Sequence, residues 1–193
     1  MPAKLFALID TAIIKKYNKT LFWSCERILY LDAAMVEYRN KTGSFKEKKE
    51  DILAIKERIK APVIVNDDIS LVPFCDGVHL GQEDLLKYGS GVYAATEYIR
   101  GIIGRKIFGI STHNEKEILE ANETSVDYIG LGAYRKTVSK DTDNILGDKL
   151  PLLANLSKKP VAAIGGVRLN DNIAHVTYIA VGSGLYEDYG IFH

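Results

Sequence analysis

Short apolar runs alternate along the chain with segments of helical character. Eight runs rich in aliphatic and β-branched residues recur, at residues 5–9, 33–38, 62–65, 77–80, 107–110, 128–131, 161–164 and 178–181. Several are nearly continuous, which is typical of parallel strands buried on both faces. Four segments between them show helical spacing, at residues 18–29, 46–59, 91–103 and 115–122. Strands that alternate with helices indicate parallel pairing through right-handed crossovers.

Eight strands predict an α/β fold, a closed (β/α)8 barrel built as one domain over residues 1–193. The chain is slightly short for this architecture, and too few residues follow Val181 for a full last helix. We therefore expect a compact barrel with shortened or missing outer helices. An open doubly wound sheet is the alternative, and it would contain fewer than eight equivalent strands.

Composition narrows the function classes. Lys plus Arg equals Asp plus Glu, at 25 each, which argues against a broad nucleic-acid surface. No apolar run is long enough to span a membrane, and the N-terminal segment reaches Asp10 too soon for a secretion signal. The two cysteines, Cys25 and Cys75, lack metal-ligand spacing and fit a reducing compartment. We expect a cytoplasmic protein that binds small molecules, with a homodimer left open.

Polar residues and glycines follow nearly every predicted strand. The carboxyl ends of barrel strands meet at the face that carries active sites, so these residues are the candidate site. Polar residues are partly expected after any strand, because strands end in loops. Most of the residues found here, however, are of types that bind phosphate or metal. In strand order from the second, they are Glu37, Arg39, Lys41; Asn66, Asp67, Asp68; His79, Gln82, Glu83, Asp84; Ser111, His113; Thr137, Ser139, Lys140; Gly165, Gly166; and Gly182, Ser183.

Charges at the second to fourth strand ends suggest a magnesium polyphosphate site. Arg39 and Lys41 share one face, which suits a polyphosphate, although a solvated edge would show the same pair. Asp67 and Asp84 offer oxygen ligands, and Mg²⁺ takes one or two carboxylates plus phosphate and water. Either aspartate could instead cap a helix, and Asp68 is the better cap candidate.

Glycines end the seventh and eighth runs, where many barrels bind phosphate with backbone N–H groups. Gly165-Gly166 alone could be a simple turn, but the second loop at Gly182-Ser183 strengthens the phosphate interpretation. His113 follows the fifth run, and a single histidine there is more often structural than catalytic. His79 is expected to support the top of the barrel.

These residues resemble the thiamine phosphate synthase and thiazole tautomerase superfamily at separated points in the right order. The family patterns and their matches are Q-x-R-x-K at residues 37–41 (EYRNK), N-D at 66–67, D-G-x-H-x-G-Q-x-D at 76–84 (DGVHLGQED), G-x-S-x-H at 109–113 (GISTH), D-Y-x-G-x-G-P at 127–133 (DYIGLGA), T-x-T-K at 137–140 (TVSK), I-G-G at 164–166 and the glycine-serine loop at 182–183. The segment 76–84 is the most specific.

The resemblance implies a magnesium-dependent transferase that joins a hydroxymethylpyrimidine diphosphate to a thiazole phosphate. It implies Asp67 and Asp84 as Mg²⁺ ligands, and Arg39, Ser111 and Lys140 as catalytic residues. The implied substrate-binding residues are Glu37, Arg39, Lys41, Asn66, Ser111, Thr137, Val138, Ser139, Lys140, Gly166, Gly182 and Ser183. Both substrates carry phosphate groups.

Glu37 departs from the family pattern, because it replaces a glutamine where an anionic diphosphate should bind. Such a carboxylate must be protonated, paired with Arg39 or Lys41, or turned away, and strand parity makes the last least expected. We expect Glu37→Gln to tighten diphosphate binding. Glu37 leaves two alternatives open: a thiazole tautomerase that uses His113, and a non-catalytic protein that binds thiamine precursors. Ala133 is a second departure, since it replaces a proline.

Overall fold

The chain forms a closed barrel of eight parallel strands, in a computed structural model that describes residues 2–136 and 144–187. The strands are β1 (Lys4–Asp10), β2 (Met35–Arg39), β3 (Val63–Asn66), β4 (Gly77–Leu80), β5 (Ile107–Thr112), β6 (Tyr128–Leu131), β7 (Val161–Ala163) and β8 (Tyr178–Val181). Each pairs with the next, and β8 pairs with β1 through Lys4 and Tyr178. The predicted closed barrel is confirmed, and the open sheet is excluded.

Seven α-helices occur in the described residues. They are α1 (Thr11–Lys16), α2 (Leu21–Tyr30), α3 (Phe45–Arg58), α4 (Gln82–Leu85), α5 (Val92–Ile103), α6 (Glu115–Asn122) and α7 (Leu150–Ala154). The helix α3 begins at a capping box, in which Ser44 and Glu47 satisfy each other's backbone N–H groups. The sequence predicted a helix from residue 18, but α2 begins at Leu21 because Thr20 caps it.

Several outer helices are shortened or absent, as predicted. The segment Ile69–Phe74 between β3 and β4 is a 3-10 helix that contains Pro73. Residues 164–177, all described, connect β7 to β8 without a helix. A 3-10 turn at Ser183–Leu185 follows β8. The connections after β3, β7 and β8 therefore contain no α-helix within the described residues.

Apolar residues fill two layers. The larger layer lies between barrel and helices, where Ile52 and Ile55 of α3 are fully buried. The smaller layer fills the barrel interior with Phe6, Met35, Ile64, Tyr128, Ala162 and Ala180. Polar residues replace apolar ones above this interior layer, toward the carboxyl ends of the strands. Within the described residues, no helix is both long and apolar enough to cross a membrane.

Candidate active site

A cavity of about 630 Å³ opens at the carboxyl ends of the strands. Inward-facing residues from six successive strands line it: Asp10, Arg39, Asn66, His79, Ser111 and Gly130. These positions share strand parity with the apolar interior layer, one or two steps further along each strand. The alternation that fills the barrel with apolar side chains below therefore places polar side chains in the cavity above.

All the predicted site residues that the structure describes line this cavity. They are Glu37, Arg39, Lys41, Asn66, Asp67, Asp84, Ser111, Gly166, Gly182 and Ser183. The predicted residues Thr137, Val138, Ser139 and Lys140 lie outside the described residues. The described residues come from six different strand ends, so only the closed barrel brings them together.

Arg39 forms an ion pair with Asp10, a residue that the sequence did not single out. Asp10 is 6% exposed and ends β1, where its other carboxylate oxygen accepts a 2.8 Å hydrogen bond from the Ala12 N–H and caps α1. Its position as the last residue of an apolar run before a helix was the available signal. Asp10 fixes the Arg39 guanidinium inside the cavity, while Lys41 lies exposed at its rim.

The carboxylates of Asp67 and Asp84 flank Gly81. A Cβ atom at Gly81 would lie 3.7 Å from Asp67 Oδ1 and 3.9 Å from Asp84 Oδ2, so both oxygens face the same point. The Gly81 N–H donates to Asp67 Oδ1 at 3.0 Å. Burial raises the pKa of Asp67 against that hydrogen bond, and the nearby Asp84 charge raises it further. A cation between the two carboxylates would relieve this repulsion.

Asp68 behaves differently from Asp67. Its side chain caps the 3-10 helix at the Ser70 N–H and pairs with Lys48 at 3.2 Å. Asp84 caps no helix, because it lies inside the first turn of α4, where Lys87 pairs with one oxygen at 2.5 Å. Asp68 is therefore the cap, as predicted, and Asp67 remains a carboxylate of the cavity.

The carboxylates of Asp67 and Asp84 would supply only part of a Mg²⁺ coordination shell, and substrate phosphates and water would have to supply the rest. Among the described residues, no cluster of three or more His, Cys, Asp or Glu side chains is arranged to hold a metal. Two carboxylates suit Mg²⁺, which keeps several waters and completes its shell with substrate phosphates. Arg39 and Lys41 line the same part of the cavity and would share those phosphates.

Glu37 lies at the cavity wall with 4% of its surface exposed. Its expected partner Arg39 is engaged by Asp10, and no described group hydrogen-bonds to the Glu37 carboxyl. Burial raises the pKa of Glu37 to about 8, helped by the charge of Asp67 and opposed by Arg39. Of the three alternatives for this residue, the protonated form is favoured at neutral pH.

His79 lies inside the barrel between two hydroxyl groups. Its Nδ1 is 3.0 Å from the Tyr128 hydroxyl, and its Nε2 is 3.0 Å from Ser111 Oγ. Burial lowers the pKa of His79 to about 4, with a smaller effect of His113. The Gln82 side-chain amide donates to the Ser111 backbone carbonyl at 2.5 Å. Ser111 is therefore held from two sides at the cavity surface.

His113 lines the same cavity and pairs with a carboxylate. Its Nδ1 lies 2.9 Å from Glu117 Oε2, and its backbone N–H donates to the same oxygen at 2.8 Å. The Asn144 side-chain amide donates to the His113 carbonyl at 3.0 Å. This histidine is thus oriented by its surroundings, and its Nε2 has no hydrogen-bond partner among the described residues.

The glycine loop after β7 requires glycine for a geometric reason. Gly165 and Gly166 have φ angles of 84° and 67°, in the left-handed region. A Cβ atom on Gly166 would lie 2.8 Å from the Arg135 Cβ. Arg135 holds this loop, because it pairs with Asp171 at 2.6 Å and 2.9 Å and donates to the Gly166 carbonyl. The loop lies across the barrel from β3, since eight strands close the ring in order.

The sequence profile of a protein family described as thiamine monophosphate synthase matches residues 5–184. The chain belongs to this family. Among curated members, thiamine-phosphate synthase of Persephonella marina is 34% identical over 174 residues, which cover 86% of this chain and 78% of that protein. The thiamine-phosphate synthase of Caldicellulosiruptor saccharolyticus is 39% identical over 142 residues, covering 69% and 60%.

Solved structures show the same fold. A thiamine phosphate pyrophosphorylase from Pyrococcus furiosus superposes with a TM-score of 0.78 at 24% identity, over 97% of this chain and 89% of that chain. A tryptophan synthase α-subunit from the same organism has a TM-score of 0.67 at 12% identity, over 96% and 89%. At these identities the likeness concerns the fold alone, and the family rests on the sequence match.

Two departures from the family pattern, at residues 37 and 133, lie in the cavity, whereas a third, Ser139 in place of threonine, lies outside the described residues. Glu37 and Ala133 are among its lining residues. Ala133 contacts the glycine loop, because a Cβ atom on Gly165 would lie 2.6 Å from the Ala133 Cβ. Differences between this chain and its family are therefore expected in ligand binding, while the barrel itself is unchanged.

Proposed function

We propose that the protein synthesises thiamine phosphate, by joining 4-amino-2-methyl-5-hydroxymethylpyrimidine diphosphate to 4-methyl-5-(2-phosphoethyl)thiazole. The observation that carries this proposal is the distribution of charge in one cavity of a family member. Cationic and carboxylate side chains occupy the ends of β2 to β4, and glycine loops occupy the opposite side at β7 and β8. Two phosphorylated substrates can then bind with their anionic groups apart.

The reaction exchanges one bond for another. The C–O bond between the pyrimidine methylene and the diphosphate breaks, and the diphosphate leaves with the electron pair as pyrophosphate. The thiazole nitrogen then donates its lone pair to the resulting pyrimidine cation and forms the C–N bond. This chemistry needs charge neutralisation on the leaving group and a nucleophile held in position, and it needs little acid–base catalysis.

Arg39 and Lys41 are suited to hold the diphosphate, because both are cationic and line the cavity beside Asp67. Asn66 and Ser111 would orient the pyrimidine side, and Ser111, also a proposed catalytic residue, would face the bond between the pyrimidine methylene and the diphosphate. Thr137, Val138, Ser139 and Lys140, named from the family pattern, are proposed to bind the substrates. Gly166, Gly182 and Ser183 would bind the thiazole phosphate through backbone N–H and hydroxyl groups.

We also propose that the enzyme depends on Mg²⁺. Asp67 and Asp84 would hold the ion, since their oxygens face one point beside Gly81. When bound, Mg²⁺ supplies charge neutralisation for the departing diphosphate. Burial is the main cause of the raised pKa of Asp67, and the Asp84 charge adds to it, so a cation bound beside both carboxylates would favour their ionised forms.

The test is an assay of purified protein with both substrates and Mg²⁺, measuring thiamine phosphate and pyrophosphate together. The proposal predicts equal amounts of the two products. It predicts no thiamine phosphate when either substrate is omitted, and loss of activity with a chelator that added Mg²⁺ restores. Absence of thiamine phosphate with both substrates present would refute the proposed function.

A thiazole tautomerase is the second candidate, and the His113–Glu117 pair favours it. A histidine oriented by a carboxylate at the cavity surface is suited to move a proton on a bound thiazole. The diphosphate-binding arrangement of Arg39, Asp67 and Asp84 would have no purpose in that reaction. His113→Ala separates the two functions, because it should abolish tautomerisation and leave thiamine phosphate synthesis measurable. If the protein had neither activity but still bound both phosphorylated substrates, it would be the non-catalytic alternative.

We propose a cytoplasmic location, since Cys25 and Cys75 are both buried free thiols. Burial raises the pKa of Cys25 to about 11, which keeps it protonated and unreactive. The homodimer stays a prediction, and light scattering of the purified protein would test it.

A further inference from the structure

A chain of two hydrogen bonds leads from the barrel interior to the cavity. It joins the Tyr128 hydroxyl, the His79 ring and Ser111 Oγ, each step at 3.0 Å. Tyr128 is 2% exposed and His79 is 5% exposed, whereas Ser111 lines the cavity. Strand β5 makes room for it, because a Cβ atom on Gly109 would lie 2.1 Å from the Tyr128 Cζ. The barrel is therefore built around this chain of side chains.

The buried end fixes the direction of the hydrogen bonds. Within the part of the chain that the structure describes, His79 Nδ1 is the only hydrogen-bond partner of the Tyr128 hydroxyl. If Nδ1 carried a proton, the phenol proton would be buried without an acceptor, which is unfavourable. The Tyr128 hydroxyl therefore donates to Nδ1. Nδ1 must then be unprotonated, so the single ring proton of His79 is on Nε2.

We propose that Tyr128 and His79 are positioning residues that make Ser111 a hydrogen-bond donor toward the cavity. His79 Nε2–H donates to Ser111 Oγ, so the Ser111 hydroxyl proton points away from the ring and toward bound substrate. With the opposite direction, Ser111 would donate to His79 and present only lone pairs to the cavity. The two directions correspond to the two neutral tautomers of the His79 ring, and the non-hydrogen atoms have the same positions in both.

The benefit to catalysis rests on the proposed function. As the bond to the diphosphate breaks, negative charge grows on the departing oxygen atoms. A donor already aimed at them stabilises that charge, whereas an oxygen lone pair would repel it. The chain from Tyr128 thus sets the polarity of Ser111 from a residue that never touches substrate.

The hydrogen-bond direction is measurable without any substrate. Long-range ¹H–¹⁵N correlation spectra of uniformly ¹⁵N-labelled protein at neutral pH report which ring nitrogen of each histidine carries the proton. The signals of His79 are those missing from a His79→Gln variant. We expect Nε2 protonated and Nδ1 unprotonated, and a mixture of the two neutral forms in Tyr128→Phe. A proton on Nδ1, alone or on both nitrogens, would overturn the proposal.

The effect on catalysis is tested with a double-mutant cycle. Tyr128→Phe should lower kcat roughly two- to tenfold with little change in KM, since one hydrogen bond loses its fixed direction. The same change in a Ser111→Ala background should have no further effect. Tyr178→Phe, another tyrosine of the barrel interior, is the matched control and should leave kcat unchanged.

An equal loss from Tyr128→Phe in both backgrounds would show a purely structural role and overturn the proposal. Circular dichroism confirms that each variant is folded before its rates are compared. If wild-type protein made no thiamine phosphate, the proposed function would fail. The spectra would then still decide the direction of the hydrogen bonds by themselves.

Discussion

Replacing Glu37 with glutamine should change how stability depends on pH. Burial raises the pKa of Glu37 from an ordinary 4.5 to about 8, so the folded protein holds this proton more tightly than the unfolded chain. The resulting stabilisation is complete below pH 4.5 and is lost as pH rises toward 8. The difference corresponds to an upper limit on the order of 5 kcal/mol. Solvent screening at the cavity wall would lower this value, and we expect about 2 kcal/mol.

The assay is urea unfolding of wild type and Glu37→Gln at several pH values between 5 and 9. The free energy of unfolding of wild type should fall relative to the variant as pH rises to about 8, and then stay level. Glu57→Gln, which alters an exposed carboxyl on α3, is the matched control and should leave the pH dependence unchanged. Parallel curves for wild type and Glu37→Gln would refute the reasoning.

The same ionisation should appear in substrate binding. At pH 7 a carboxyl with a pKa near 8 is about ten to one protonated, and a neutral Glu37 resembles the family glutamine in charge and shape. The KM for the pyrimidine diphosphate should therefore differ little between wild type and Glu37→Gln at pH 7. Above pH 8 the wild-type KM should rise several-fold relative to the variant. The sequence alone predicts tighter diphosphate binding by Glu37→Gln, without any dependence on pH.

Four further substitutions test other parts of the site. Asp67→Asn and Asp84→Asn should each raise the Mg²⁺ concentration needed for half-maximal activity about tenfold or more, with folding nearly intact. Asp10→Asn should keep the α1 cap but release Arg39, so that kcat falls roughly three- to tenfold while thermal stability changes little. Gly166→Ala should destabilise the protein by about 1–2 kcal/mol in urea unfolding and raise the KM for the thiazole phosphate, because its φ angle is 67°.

Matched controls accompany these variants. Asp68→Asn removes a neighbouring carboxylate that pairs with Lys48 outside the cavity, and it should leave the Mg²⁺ titration unchanged. Gly101→Ala adds a methyl group into open space on α5 and should not destabilise the protein. Unchanged Mg²⁺ titrations for both aspartate variants, an unchanged kcat for Asp10→Asn, or equal stabilities of the two glycine variants would contradict the corresponding assignment.

Much of the fold was predictable because buried strands must be apolar. The runs at residues 77–80, 128–131 and 178–181 coincide with β4, β6 and β8. Helix α1 was missed, since six residues carry too little periodicity to be recognised. Its cap, Asp10, was missed as a site residue for the same reason.

The cavity residues were predictable one by one, but their partners were not. Motif positions such as Asp67 and Ser111 follow from the strand ends, which the barrel brings together. The partner of Arg39 comes from β1, 29 residues earlier in the chain, whereas the sequence offered Glu37 as one possible partner. The direction of the hydrogen bonds from Tyr128 depends on burial and on the number of acceptors nearby, and neither is visible in a sequence.

The most direct test is a crystal structure of the protein with thiamine phosphate, pyrophosphate and Mg²⁺. Our account predicts pyrophosphate against Arg39 and Lys41, with Mg²⁺ between it and the two carboxylates that flank Gly81. It predicts the phosphate of thiamine phosphate across the barrel, on the glycine loops after β7 and β8. Both phosphate groups bound on the same side of the cavity, or either product bound elsewhere, would contradict it.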